Sequence, residues 1–180
     1  MFYKCQYESP LGTITLACSE TGLIGLWISG QKYEYKTLPE NNLIEDNDYP
    51  ILVEAKRWLD LYFAGEKHGI DSLKLDPIGT KFQHDVWDVL KTIPYGTTIS
   101  YNDIAKLLAK KYKIKKMSAQ AVGGAVGHNQ ISIIISCHRV VGSNGSLTGY
   151  AGGIDKKVRL LELEGVDLSK YTIPTKGTAI

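Results

Sequence analysis

Long apolar runs are missing from this 180-residue chain. None approaches the roughly 20 consecutive residues of a membrane-spanning helix, so no membrane partner is expected. Cysteine is scarce. Cys5, Cys18 and Cys137 are an odd number without a tight spacing, which argues against a disulfide scaffold and for a reducing compartment. The opening residues, MFYKCQYESPLG, lack an apolar signal core, so secretion is not expected and a cytoplasmic location is. Internal repeats and low-complexity tracts are also absent. What remains, 43% hydrophobic and 22% charged residues, is the composition of a soluble globular protein.

Net charge is small as well, but the formal +2 hides an asymmetry. Residues 1–79 hold 7 basic and 12 acidic side chains, and residues 80–180 hold 14 basic and 7 acidic ones. A basic second half beside an acidic first half suits a polyanion-binding part joined to one that stays off the polyanion. Ordinary solvated charge gives the same pattern.

The hydropathy pattern predicts an α+β fold in two parts. Phe2–Tyr7, Thr13–Cys18 and Leu23–Ile28 read as short strands, separated by turn residues at 9–12 and 20–22. Residues 39–50 are polar and acidic and read as a loop. Leu52, Ala55, Leu59 and Tyr62 recur at helical spacing over 51–63, and Gly65 can end that helix. Residues 70–79 hold Pro77 and Gly79 and read as a linker, giving a sheet-plus-helix domain over 1–76 and a second domain over 77–180.

The second domain is expected to be mainly helical. A helix over 80–92 places Phe82, Val86, Val89, Leu90 and Ile93 on one face. Ser100 can cap a further helix, with Asp103 at the capping-box distance and Ile104, Leu107 and Leu108 facing inward. A lysine-rich stretch, 110–116, follows. Ser118 can then cap a helix over Ala119–Gly127. Two helices joined by a turn fit a helix-turn-helix. The last helix holds Gly123 and Gly124, each costing roughly 0.5–1 kcal/mol relative to alanine. Close approach to a partner offsets that cost, and so does tight packing inside the domain.

Ile131–Ile135, ISIII, is a mostly apolar run and reads as a buried strand leading to Ser136-Cys137-His138-Arg139-Val140-Val141. A thiol followed by His and Arg is a candidate nucleophile, because thiolate is the reactive form and a nearby base or cation favours it. A buried structural cysteine is the commoner fate of this residue. Neighbours on a strand point to opposite faces, so direct Cys137–His138 contact is awkward without a sharp turn or a water.

The segments GTKFQHDVWDVLKTIPYGTTISYNDIA, QAVGGAVGHN, ISCHRVVGSNG and LTGYAGGIDKKVRLLELEG stand in order over residues 79–165. In these the chain resembles the O6-alkylguanine-DNA alkyltransferases, also called methylated-DNA–protein-cysteine methyltransferases. The first half, with SPLGTITLACSETGLIGL, fits that family's more variable N-terminal domain. The resemblance implies a protein that transfers an alkyl group irreversibly from O6-alkylguanine, less well from O4-alkylthymine, in double-stranded DNA to its own Cys137. It implies a water-mediated base, His138, oriented by Glu164, with Asn129 linking the recognition helix to the active-site strand. Tyr101 would meet the phosphate of the target nucleotide. Tyr150 and Val140 would border the base, and Arg139 lies in the same motif. The helix after Ser118, with Gln120, Ala121 and Gly123, would enter the minor groove. No cofactor is implied, and a monomer is expected. Some relatives hold zinc in the first domain. Cys5 and Cys18 are suggestive, but Ile24 stands where a histidine would be needed, so no metal is expected.

Three positions depart from the family pattern. Gln120 stands where an intercalating arginine is usual, and lacks its charge and planar fork. Gln130 and Ser136 replace prolines, a change expected to loosen the approach to the acceptor. Competing functions are a lesion-binding protein without transfer, a thiol hydrolase and a DNA-binding regulator. Cys137 argues against the first, and the lack of a second DNA-binding domain against the last.

Overall fold

A computed structural model describes residues 1–34, 38 and 43–174. These fall into two compact units, one of Met1–Ile78 with Gln130–Ile134, the other of Gly79–Asn129 with the chain from Ile135 onward. The architecture is α+β, and no described helix is long and apolar enough to cross a membrane.

In the first unit, β1 (Phe2–Ser9), β2 (Gly12–Cys18), β3 (Leu23–Ile28) and β4 (Leu43–Glu45) form one sheet in the order β3-β2-β1-β4. The β1–β2 hairpin is antiparallel from Tyr3 opposite Cys18 to Ser9 opposite Gly12, whose φ of +100° suits glycine. β4 pairs in parallel with β1, so part of the expected 39–50 loop is strand, and residues 39–42 lie outside the described ones. Three residues are too few for a periodicity signal. Helix α1 (Pro50–Phe63) buries Leu52, Ala55, Leu59 and Tyr62 as their spacing predicts, together with Trp58. Gly65, at φ +82°, ends it: its N–H reaches the Tyr62 carbonyl and that of Glu66 reaches Leu61. Cys5 and Cys18 are buried, and among the described residues no group of three or more His, Cys, Asp or Glu could hold a metal.

The apolar run 131–135 is not a strand. Ile131 makes a single bridge to Leu26, the Ile134 N–H bonds the Ser132 carbonyl at 2.8 Å, and Ile133 between them has φ +70°. Such a tight turn at a β-branched residue is a strained conformation. The run is apolar because every side of it is buried, and burial without alternation does not distinguish a strand from a turn. Polar side chains fix it: Gln130 Oε1 accepts from Trp27 Nε1 at 3.2 Å, and Ser132 Oγ donates to Gln31 Oε1 at 2.9 Å.

In the second unit, Thr80 and Gln83 form a reciprocal capping box on α2 (Lys81–Lys91). Its buried face is Asp85, Val86, Trp87 and Leu90; Phe82 and Val89 are half-buried. Ser100 caps α3 (Tyr101–Tyr112), accepting from the Asp103 N–H. Leu107 is 50% exposed rather than inward, because the buried stripe runs through Ile104, Ala105, Leu108 and Ala109. α3 and α4 (Ala119–Gly127) make the helix-turn-helix, and Trp87 Nε1 donates to the Ala125 carbonyl at 2.9 Å. β5 (Ile99–Ser100) and β6 (Val140–Val141) pair in parallel, and α5 (Ile154–Leu163) follows a glycine-rich loop.

Internal packing does not require the glycines at the start of α4's exposed face. A Cβ on Gly124 would meet nothing within 4 Å, and one on Gly123 would stand 3.8 Å from Tyr101 Cδ1, an ordinary contact. Gly124→Ala should therefore stabilise the free protein by roughly 0.5–1 kcal/mol, read by urea denaturation. A loss of stability would mean that an interior contact demands the glycine.

Candidate active site

Cys137, His138 and Arg139 form one turn of 3₁₀ helix that runs into β6. Ser136 precedes it at φ −75°, ψ 58°, an inverse γ-turn closed by the Cys137 N–H on the Ile135 carbonyl at 2.7 Å. The Ser136 hydroxyl donates to the Leu90 carbonyl at 2.7 Å. At the two positions where the family pattern has proline, the Ser136 hydroxyl thus bonds the Leu90 carbonyl and Gln130 Oε1 accepts from Trp27 Nε1.

Cys137 is 4% exposed. Asn129, at the end of α4, donates through Nδ2 to Cys137 Sγ at 3.1 Å and to the Ile135 carbonyl at 2.7 Å. One amide therefore ties the end of α4 to the turn that carries Cys137. In a 3₁₀ turn successive side chains diverge by about a third of a circle, so His138 points away from Cys137 and into the core. There its Nε2 meets Glu164 Oε1 at 2.6 Å.

Glu164 is the C-cap of α5, and the following Gly165, at φ +76°, fixes it in place. The Gly165 N–H bonds the Glu162 carbonyl and the Val166 N–H bonds Leu161, a Schellman closure. The carboxylate also accepts Arg139 Nε at 2.8 Å, Arg139 Nη2 at 2.9 Å and the Gly96 N–H at 3.1 Å. Gly96 must be glycine, since a Cβ would stand 2.8 Å from the Glu164 carbonyl oxygen. Arg139 donates its remaining terminal nitrogen, Nη1, to the Ile93 carbonyl at 2.6 Å. Its guanidinium is thus committed to the core rather than offered to an outside partner.

These contacts set the charge states. Burial pushes the Glu164 pKa up, but the hydrogen bonds and charges of His138 and Arg139 push it down by more, so the carboxylate is ionised. Burial holds the His138 pKa below its ordinary value despite the carboxylate beside it, so the imidazole is neutral. An ionised Glu164 can only accept, which puts the ring proton on Nε2 and leaves Nδ1 as the basic nitrogen.

Outside the core lies a cleft of about 400 Å³ lined by Tyr101, Gln120, Gly123, Gly142, Ser143 and Gly149, among others. The Tyr101 hydroxyl donates to the Gly149 carbonyl at 2.9 Å and, more weakly, to Thr148 at 3.3 Å. A Cβ on Gly149 would approach that hydroxyl to 2.5 Å, so glycine is what lets the tyrosine dock. Tyr150 and Val140 are buried beside this region. Ser118 caps α4 by accepting from the Ala121 N–H at 3.2 Å, and Ala121 is exposed; neither lines the cleft. The structure thus gathers Cys137, His138, Glu164, Asn129 and Arg139 in one core, and sets Tyr101, Gln120 and Gly123 around the cleft. Sequence reasoning missed Lys157, which is fully buried. Its signal was its place between Ile154 and Leu160–Leu161 on the apolar stripe of α5.

Fold and site together define a helix-turn-helix protein with a buried thiol backed by a histidine–glutamate pair. Residues 2–77 match the family model described as 6-O-methylguanine DNA methyltransferase, ribonuclease-like domain, and residues 81–166 match its DNA binding domain. A methylated-DNA–protein-cysteine methyltransferase of Methanosarcina acetivorans is 44% identical over 91% of this chain and 98% of its own length. The constitutive enzyme of that name from Bacillus subtilis is 39% identical over 92% and 97%. The crystal structure of Mycobacterium tuberculosis OGT in complex with DNA superposes with a TM-score of 0.77 at 39% identity, covering 94% of each chain. The chain belongs to the methylated-DNA–protein-cysteine methyltransferase family.

The buried neutral histidine makes stability depend on pH. Below 6.5, its ordinary value, the unfolded chain binds a proton at His138 that the folded chain resists. Stability should fall as pH drops through that window and be retained above it. His138→Gln should flatten the melting temperature against pH there. An unchanged slope would mean that His138 titrates normally in the fold.

Proposed function

We propose that this chain repairs double-stranded DNA by moving one alkyl group from O6 of guanine to Cys137 Sγ, once per molecule, with O4-alkylthymine a poorer substrate. The observation that carries the reading is the pair of contacts set on one turn, Asn129 to Cys137 and His138 to Glu164. The family relation supports it. Cys137 passes its proton through a water to His138 Nδ1, and the resulting imidazolium is stabilised by Glu164. The thiolate attacks the alkyl carbon, the carbon–O6 bond breaks, and its electron pair stays on guanine, which regains the proton. The thioether does not hydrolyse, so the protein is consumed. No metal or organic cofactor is needed for these steps.

A base inside a duplex cannot reach a thiol that is 4% exposed, so the nucleotide must be flipped out, at a cost of a few kcal/mol. The open face of α4 at Gly124 suits close approach to a minor groove, and the lysines at 110–116 suit phosphates. Tyr101 at the start of α3 and Gln120 on the cleft border the path of the flipped base. Arg139 and Ser118 act from within, one on Glu164 and one as a helix cap. The protein acts as a monomer on this reading.

Cys137→Ala should abolish removal of methyl from O6-methylguanine duplex and leave DNA affinity within about twofold, because the recognition helix and its cap are untouched. Wild-type repair should stop at one methyl per protein. Continued turnover would instead favour a thiol hydrolase, and repair by the alanine variant would move the acceptor elsewhere.

Gln120 stands where a longer, charged side chain would better fill the gap left by the flipped base. Flipping is an equilibrium, so a weaker plug lowers the flipped fraction and the transfer rate together. Gln120→Arg should speed single-turnover repair in duplex and change repair in single strands less. Equal duplex rates for wild type, Gln120→Arg and Gln120→Ala would show that residue 120 is not the plug.

A further inference from the structure

Beyond α5 the chain makes a single 3₁₀ turn over Leu168–Lys170 and then extends, with Tyr171 at φ −119° and ψ 156°. The Tyr171 side chain packs against the cluster of Val141, Leu147 and Leu161. A phenylalanine would pack there as well, so packing does not explain the polar ties that this segment makes. The Tyr171 hydroxyl hydrogen-bonds the Thr98 hydroxyl at 2.8 Å. The Thr172 N–H donates to the Gly145 carbonyl at 3.0 Å, and the Thr172 carbonyl accepts from the Leu147 N–H at 2.9 Å. Gly145 gives the segment room, since a Cβ there would stand 3.1 Å from the Lys170 carbonyl oxygen.

These ties end on two different walls of the cleft. Thr98 leads through β5 into Tyr101, which lines one wall. Gly145 and Leu147 lie between Ser143 and Thr148, which with Gly142 and Gly149 line another. Tyr101 bonds that second wall only at its far end, Thr148 and Gly149. Bonds from the Gly142 N–H to the Ser146 carbonyl, and from the Gly145 N–H to the Gly142 carbonyl, shape the turn between. They do not fix where the turn stands. Glycine at 142, 145 and 149 leaves the backbone many conformations, so the position of this wall needs an outside hold.

We infer that Tyr171 and Thr172 form a strap that holds the two cleft walls at one separation, and that the strap makes the site select small alkyl groups over bulky ones. The inference rests on the proposed alkyl transfer, in which the flipped base passes this cleft. Methyl adds little bulk to the base, so fixed walls do not hinder it and keep its carbon aligned with the thiol. A benzyl group requires the walls to part. Discrimination then comes from the resistance of the wall to movement, a repulsive element rather than a contact made with the alkyl group.

The test compares single-turnover transfer from duplexes carrying O6-methylguanine and O6-benzylguanine, across DNA concentrations and per folded molecule. Wild type is set against Tyr171→Phe and Thr98→Val, which remove the same hydrogen bond from its two ends and keep the packing. An ordinary hydrogen bond corresponds to about twofold to tenfold in an equilibrium, so each variant should raise the benzyl-to-methyl ratio of maximal rates by about that factor. Combining the two should add little, because one bond is lost in either case. Tyr171→Phe with Thr172→Pro, which also removes the backbone donor, should raise the ratio further, and the extended Tyr171 backbone suits a following proline. Half-saturation by DNA should stay within about twofold, since the phosphate contacts are untouched.

A segment that only stabilises the fold would lower the melting temperature and leave the ratio at its wild-type value. Where the proline variant does not fold, Tyr171→Phe and Thr98→Val carry the test. A benzyl-to-methyl ratio unchanged or lowered in those two overturns the inference. Wild-type protein that leaves the methyl on the DNA refutes the transfer reading itself, a result distinct from either.

Discussion

Taking the Glu164 carboxylate out of water costs several kcal/mol unless its oxygens are matched by donors. Four hydrogen bonds converge on it, from His138, twice from Arg139, and from the Gly96 backbone. Much of the second unit's layout serves that convergence. The Pro94–Gly96 turn brings one donor, the 3₁₀ turn brings two residues, and the Schellman closure of α5 holds the acceptor still. Arg139 pairs in bidentate fashion, which orients the carboxylate as well as neutralising it. The oriented carboxylate then fixes the imidazole and decides which ring nitrogen is basic. Removing any one donor would leave a buried charge short of a partner and loosen the His138 imidazole it orients.

A second tie runs through Asn129. Its amide spans the end of α4 and the turn that carries Cys137, so the helix and the thiol are joined through one side chain. The helix itself gives up intrinsic stability at Gly123 and Gly124 for an open face. Gly96 and Gly149 have a different role: each stands where a Cβ would strike the site, on Glu164 in one case and on Tyr101 in the other.

Much of this was legible in the sequence where local rules apply. The bounds of α4 and the caps at Ser100 and Ser118 follow from cap chemistry, and α1 from its apolar period. The errors came where burial and period part company. Ile131–Ile135 is apolar because it is enclosed, not extended, and Leu107 is exposed because two alanines take the inner stripe. β4 is too short to carry a pattern. In the site, Cys137 and His138 stood out by chemistry, but Asn129 and Glu164 came through family resemblance, since no spacing rule joins residues 26 positions apart. The core-facing Lys157 broke the stripe of α5 visibly, yet solvated lysines are so common that it passed unremarked.

The central claim is that this core exists to make Cys137 accept an alkyl group. Peptide-level mass mapping of the protein after incubation with O6-methylguanine duplex tests it most directly. The account predicts one methyl per chain, on Cys137, with Cys5 and Cys18 unmodified. An unmodified Cys137, or methyl on either other cysteine, would contradict it.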